Sequence, residues 1–134
     1  MSQQNVEIAR GAYEAMNKRD YAAFFAAVDS EVEFVLPEGG MNAGTHRGRR
    51  AVRQFMESYD ESFENFQVVP EEFFEAGDQV VAFVRQSGRG RESGVEIETT
   101  PVHLLTLRGG KVQRLEAFPD REKPAVLKAV GLGE

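Results

Sequence analysis

Hydrophobic positions follow a helical rhythm at first. Val6, Ala9, Ala12, Tyr13 and Met16 recur at spacings of three and four, which predicts an amphipathic helix over residues 3–19. Asn17-Lys-Arg-Asp20 interrupts it, and Asp20 is placed to N-cap a short second helix, YAAFFAAV. The period then drops to two: in 31-EVEFVL-36, Val32, Phe34 and Leu36 share one face of a half-buried strand. The polar, glycine-rich 37-PEGGMNAGTHRGR-49 reads as a loop with a short strand near Thr45–Arg47. Val52, Phe55, Met56, Tyr59 and Phe63 return to helical spacing and predict a third helix.

Everything after that alternates. Strands are predicted over 67–76, 79–87, 95–107 and 111–118, punctuated by Gly77-Asp78, the GRGRESG run and Gly109-Gly110 as hairpin turns. The tail 121-REKPAVLKAVGL-132 is amphipathic enough for a helical turn or two. Helices followed by a run of antiparallel strands predict an α+β fold in which a curved sheet wraps helices and leaves a cone-shaped cavity.

Length and composition narrow the function classes. A chain of 134 residues, 41% apolar and 28% charged, is the size of one ordinary soluble domain, read here as spanning residues 1–134. Without cysteine it has no disulfide and no thiol nucleophile, and with two histidines it lacks an evident ligand set, so no metal or cofactor is expected. A net charge of −6 argues against nucleic acid as a partner. No apolar run reaches the ~18 residues of a membrane span, and the N-terminus lacks the pattern of a signal peptide. These features predict a cytoplasmic protein that does not enter membranes.

Candidate chemistry centres on His103, which sits among leucines in 99-TTPVHLLTLRGGKVQRLEAF-118. If Gly109-Gly110 is a two-residue turn, Leu107 faces Val112, and continuing that register sets His103 opposite Glu116. A pairing of Arg85 near Ile97 adds Phe83 and Arg85 to the same face, and Phe118 completes it. Polar groups converging among aromatics are the lining of a small-molecule pocket. His103 would act as a general acid/base or hydrogen-bond donor oriented by Glu116, with Arg85 binding an oxyanion. The plainer alternative is a structural His–Glu pair on a dimer face.

Several segments together resemble a known family: 7-EIARGAYEAMNKRDYAAFFAAVDSEVEF-34, 47-RGRRAVRQFM-56, 76-AGDQVVAFVRQSGRG-90 and 103-HLLTLRGGKVQRLEAF-118 followed by 120-DRE. They resemble the SnoaL-like group of the NTF2-like superfamily over nearly the whole chain. The resemblance implies the cone fold: a curved mixed or antiparallel sheet wrapped around N-terminal helices, with an internal pocket. Its members include isomerases, polyketide cyclases and epoxide hydrolases, so fold alone does not settle the reaction.

Residue by residue, the resemblance leaves gaps. Ketosteroid isomerases use an aspartate base, a tyrosine and a protonated aspartate. Aligned on Asn17, the tyrosine falls on Ala12 with Tyr13 one residue away, the base falls on Phe34, and the protonated aspartate falls on His103. The aspartate of the cyclases falls on Ala117, leaving Asp120 at the strand end.

The expected catalytic residues are therefore His103 and Glu116, and the expected pocket residues are Tyr13, Phe34, Phe55, Phe83, Arg85 and Phe118. The expected ligand is a small apolar molecule, with isomerase- or cyclase-like proton transfer at His103. The alternatives are ligand binding without chemistry, and a structural or partner-binding domain. A homodimer is expected in each case, because an exposed apolar sheet face needs cover.

Overall fold

The structure, a computed structural model, describes residues 2–132, with side chains from residue 4 onward. Helix α1 (Ser2–Asn17) leads through a tight joint into α2 (Tyr21–Ala27) and strand β1 (Val28–Leu36). Strand β2 (Gly44–Arg47) and helix α3 (Gly48–Ser62) follow. The remaining strands are β3 (Phe63–Ala76), β4 (Gln79–Gly90), β5 (Glu96–Thr99), β6 (Val102–Arg108) and β7 (Lys111–Phe118). A 3-10 turn (Asp120–Glu122) and helix α4 (Lys123–Ala129) close the described chain.

The joint between α1 and α2 is built by Arg19. Its backbone takes φ 60°, the left-handed conformation that turns a chain out of a helix. Its guanidinium donates to the Met16 and Asn17 carbonyls at the end of α1, and grips Asp60 of α3 and the Phe66 carbonyl of β3. One side chain thus satisfies the Asn17 carbonyl that the helix leaves unpaired, adds a second bond to the Met16 carbonyl already held by the Arg19 N–H, and ties three elements together. Asp20 caps α2 as expected, its carboxylate accepting from the Ala23 N–H at 3.1 Å.

The sheet runs β2-β1-β7-β6-β4-β3, with β5 also on β4. It is mixed, because β1 pairs parallel with β7 while the other pairs are antiparallel. The stretch 95–107 is two strands and not one: β5 pairs with Gln86–Arg89 and β6 with Gln79–Phe83, along the same edge of β4. The break falls at Thr100-Pro101, where proline cannot donate to the ladder, although its carbonyl accepts from the Val84 N–H. Phe63 starts β3 and does not end α3. A register shift in β3 between Pro70 and Glu72 adds to the curvature.

Two apolar clusters mark the two faces. The concave face packs Val80, Ala82, Val84, Leu105 and Leu115 against Val6, Ala9, Ala12 and Tyr13 of α1. On the convex face Val81, Val102, Phe83 and Leu104 pack with Val126 of α4. The tail helix therefore covers part of the outer face.

The β6–β7 hairpin corrects the expected register. Gly109 and Gly110 both take positive φ, 60° and 78°, and set Arg108 opposite Lys111 and Leu107 opposite Val112. Gln113 then bulges. Beyond it Thr106 faces Arg114, Leu104 faces Glu116 and His103 faces Ala117. One extra residue moves every later β7 side chain to the opposite face. Leu115 and Ala117 turn inward, and Arg114 and Glu116 turn outward.

Asn17 offers a direct test of how α1 is held. Its amide donates to the Val68 carbonyl and its side-chain oxygen accepts from the Val68 N–H, both at 2.9 Å. Asn17→Ala strands both backbone groups of Val68, a buried strand residue. The expected loss is about 1–3 kcal/mol of unfolding free energy, read by urea denaturation with an unchanged m-value.

Candidate functional site

The concave face is wider than α1, and the uncovered part is a cavity of about 820 Å³. That lies within the range of about 300–1,000 Å³ occupied by small-molecule sites. Its walls are mainly apolar, with Met16 from α1, Phe34 from β1, Phe55 and Tyr59 from α3, Phe66 from β3 and Leu115 from β7. Aromatic rings run around it in contact: Phe34–Phe55 at 5.4 Å, Phe55–Tyr59 at 6.2 Å and Tyr59–Phe66 at 4.5 Å between centroids.

Two polar side chains meet in this apolar lining. Tyr13 projects from α1 and His103 from β6, and the phenol oxygen lies 2.6 Å from Nδ1 of the imidazole. The rings are nearly parallel, 15° apart, and both residues are buried. The α1 spacing that turns Ala9 and Ala12 to the sheet also turns Tyr13 there. The alternation of β6 turns His103 inward with Leu105 and Leu107.

Burial governs their ionisation. It lowers the His103 pKa to about 4 and raises that of the Tyr13 phenol above its usual value. At neutral pH the pair is therefore uncharged, with two hydrogens between phenol and imidazole. One lies in their mutual bond. If Tyr13 donates to Nδ1, then Nε2–H is the free donor; if Nδ1–H donates to the phenol oxygen, the phenol O–H is free. Either tautomer leaves one donor for a third group.

The bulge at Gln113 separates residues that the simple register joins. Glu116 lies on the outer face, opposite Leu104, with an oxygen 3.5 Å from Arg114. It cannot orient His103; Tyr13 holds that place. Arg85 is also outward, opposite Val69 rather than beside Ile97, and pairs with Glu71 and Glu98. Phe83 faces outward beside Phe74, and Lys123 sits 4.6 Å over its ring. Phe118 pairs with Val102 and packs mainly in the outer cluster, while also bordering the cavity. Tyr13, Phe34, Phe55 and His103 do meet at the cavity.

The alignment that set the isomerase tyrosine on Ala12 misses the actual contact. Ala12 lies against a small void of about 20 Å³ behind the cavity, and Tyr13 reaches His103. Leu115, Ala117 and Gln86 are lining residues that sequence reasoning passed over. The apolar row Val80, Ala82, Val84 ending in Gln86 was a usable signal for the last of these.

His46 is not a cavity residue. Its Nε2–H donates to the Asn42 carbonyl at 2.7 Å, and its ring lies 4.9 Å from that of Phe55. With the Asn42 amide donating to Ser58 Oγ at 2.8 Å, it pins the 37–43 loop to α3. Gly40 and Met41 of that loop border the cavity. Among the described residues no cluster of His, Asp and Glu could hold a metal ion, and no helix is long and apolar enough to cross a membrane.

The sequence profile of the SnoaL-like domain matches residues 9–115. The chain belongs to the SnoaL-like family. No curated protein matches it significantly. Among solved structures it is similar to an NTF2-like protein from Burkholderia xenovorans LB400, with 27% identity and a TM-score of 0.79 over 90% of this chain and 92% of that one. It is similar to TerC, co-crystallised with polyporic acid, with 27% identity and a TM-score of 0.78 over 95% and 98%. A protein of ketosteroid isomerase-like fold from Catenulispora acidiphila DSM 44928, in complex with trimethylamine, shares 21% identity and a TM-score of 0.74 over 94% and 93%. The SnoaL-like chain thus has the NTF2-like cone fold expected of it.

The depressed His103 pKa makes a stability prediction. The unfolded chain protonates this residue near 6.5 and the folded chain only near 4. Between those values the unfolded state binds more protons, so stability is complete above about pH 6.5 and falls as pH drops toward 4. The expected contribution is on the order of 3 kcal/mol, and His103→Gln should lack it. Urea unfolding of both proteins at pH 7.5 and 4.5 checks this; equal pH losses would contradict it.

Proposed function

We propose that this SnoaL-like protein binds a small, largely apolar molecule in the cone and holds a carbonyl or hydroxyl oxygen of that molecule with the Tyr13–His103 pair. The observation that carries the reading is the 2.6 Å contact between two buried, neutral side chains that leaves one hydrogen-bond donor unspent in an apolar cavity. A donor in such a place gains strength from the low local dielectric, and it is worth most to an oxygen gaining negative charge, as in an enolate. The similar protein TerC, co-crystallised with polyporic acid, supports a small-molecule role for the cone.

The lining supports binding and carbonyl polarisation more directly than proton abstraction. Neutral His103, with a conjugate-acid pKa near 4, is a weak base. The cavity carboxylates Asp60 and Asp120 are both committed to cations, Arg19 and Lys123. Ala117, at the position where the resemblance implies the cyclase aspartate, faces His103 with no acid group. Phe34 stands where the isomerase base would. A ligand whose α-hydrogen is already acidic is the one this pair could assist unaided.

A thermal-shift screen with steroids, enones, aromatic polyketides and terpenoid ketones tests the reading. A ligand at a hundred times its Kd adds about 2.7 kcal/mol, which raises Tm by roughly 5–15 °C in a chain this size. Tyr13→Phe should weaken a carbonyl ligand about tenfold while sparing its deoxy analogue. Deuterium exchange at the α-carbon of the bound ketone, lost in His103→Ala, would establish catalysis. Binding without exchange would establish a carrier or sensor. Silence across the panel would overturn the reading.

A further inference from the structure

Four charged side chains border the cavity: Arg19, Asp60, Asp120 and Arg121. Three of them are neutralised within the protein. Arg19 and Asp60 form a two-bond pair, and Asp120 binds the Lys123 ammonium at 2.7 Å while accepting from Thr100 Oγ1 at 3.1 Å. Those contacts, Lys123 first, hold the Asp120 carboxyl below its usual pKa, so it stays ionised and occupied. Arg121 has no carboxylate partner among the described residues. With Tyr13 and His103 neutral, the wall carries one uncompensated positive charge.

That charge sits at the rim. Arg121, Asp120 and Thr99 are exposed, whereas Tyr13 and His103 are buried. The wall between them grades from apolar to polar: the inward row of β4 runs Val80, Ala82, Val84, Gln86, with Ala82 opposite His103 and Gln86 opposite Thr99. The Gln86 amide has no side-chain partner among the described residues and borders the cavity. From Ala82 to Gln86 the strand advances about 13 Å, at about 3.3 Å per residue. Thr100, next to Thr99, is bonded to Asp120, which places the rim arginine at the same end as Gln86.

We infer that the ligand is an elongated apolar monoacid, with a neutral carbonyl or hydroxyl oxygen at Tyr13–His103 and a carboxylate about 13 Å away, received at the rim by Arg121 with Gln86 and Thr99 beside it. This rests on the reading of the cone as a binding site and adds the charge and length of its occupant. A neutral ligand would leave the Arg121 guanidinium unused. A dianion would put a second charge among the cavity aromatics, where no cation waits for it.

The test uses 3-oxoandrost-4-ene-17β-carboxylic acid, which has a ketone and a carboxylate at opposite ends of a rigid apolar body, and its methyl ester. Titration calorimetry at low and high salt measures both on the wild-type chain, Arg121→Gln and Tyr13→Phe. The acid should bind the wild type about fivefold tighter than the ester at low salt, with the ratio falling toward one at high salt. Arg121→Gln should bring the ratio to one by weakening the acid, and Tyr13→Phe should weaken both compounds equally and leave the ratio intact. If acid and ester bind the wild type equally, or if Arg121→Gln keeps the preference, the inference falls while the binding reading stands. If neither compound binds and the wider panel is also silent, both fall together.

Discussion

A curved sheet must bury its concave face, and one helix of 16 residues is too narrow to fill a cone formed by six strands in series. Much of this molecule follows from that mismatch. Helix α1 covers the sheet where Val6, Ala9 and Ala12 meet Val80 and Leu105. One turn beyond Tyr13 the helix ends, and the joint at Arg19 sends the chain into α2. Helix α3 and the aromatics Phe55, Tyr59 and Phe66 then wall off the space without filling it. The cavity is the remainder of an incomplete packing solution, walled by helices and strands and bordered at its rim by the 37–43 loop.

The same geometry explains why two polar groups are tolerated at such depth. A buried phenol or imidazole without a partner would cost on the order of 1–3 kcal/mol. Together Tyr13 and His103 satisfy each other once, and their second hydrogen has only the cavity to address. Burial keeps His103 neutral, and neutrality lets it serve Tyr13 as either donor or acceptor. The arrangement is therefore a hydrogen-bonding site by construction and a proton-abstracting site only for a partner acidic enough to meet a weak base.

Charge is distributed to match. The outer face carries Glu33 bridged to Arg47 and Arg114, and Arg85 between Glu71 and Glu98. The inner space is nearly free of charge apart from its rim. The rim itself is tied down at two places, by Asp120 with Thr100 and Lys123, and by the Asn42 contacts to His46 and Ser58. A ligand would meet a preformed opening rather than one it must order.

Periodicity alone determined the helices, most of the strands and the α+β class, because helix and strand rhythms are local properties of the chain. It also determined that His103 shares a strand face with Leu105 and Leu107, since alternation along one strand does not depend on a partner. That this face is the inner one came from packing, because Val102 and Leu104 make the other face just as apolar. What β7 contributes was decided only by tertiary structure. The bulge at Gln113 arises where β7 must pair antiparallel with β6 and parallel with β1 at once, and no local pattern in KVQRLEAF marks it. That single residue replaced Glu116 with Ala117 beside His103. The partner that did arrive, Tyr13, lies 90 positions away on a helix, and such a contact exists only once helix and sheet are packed together.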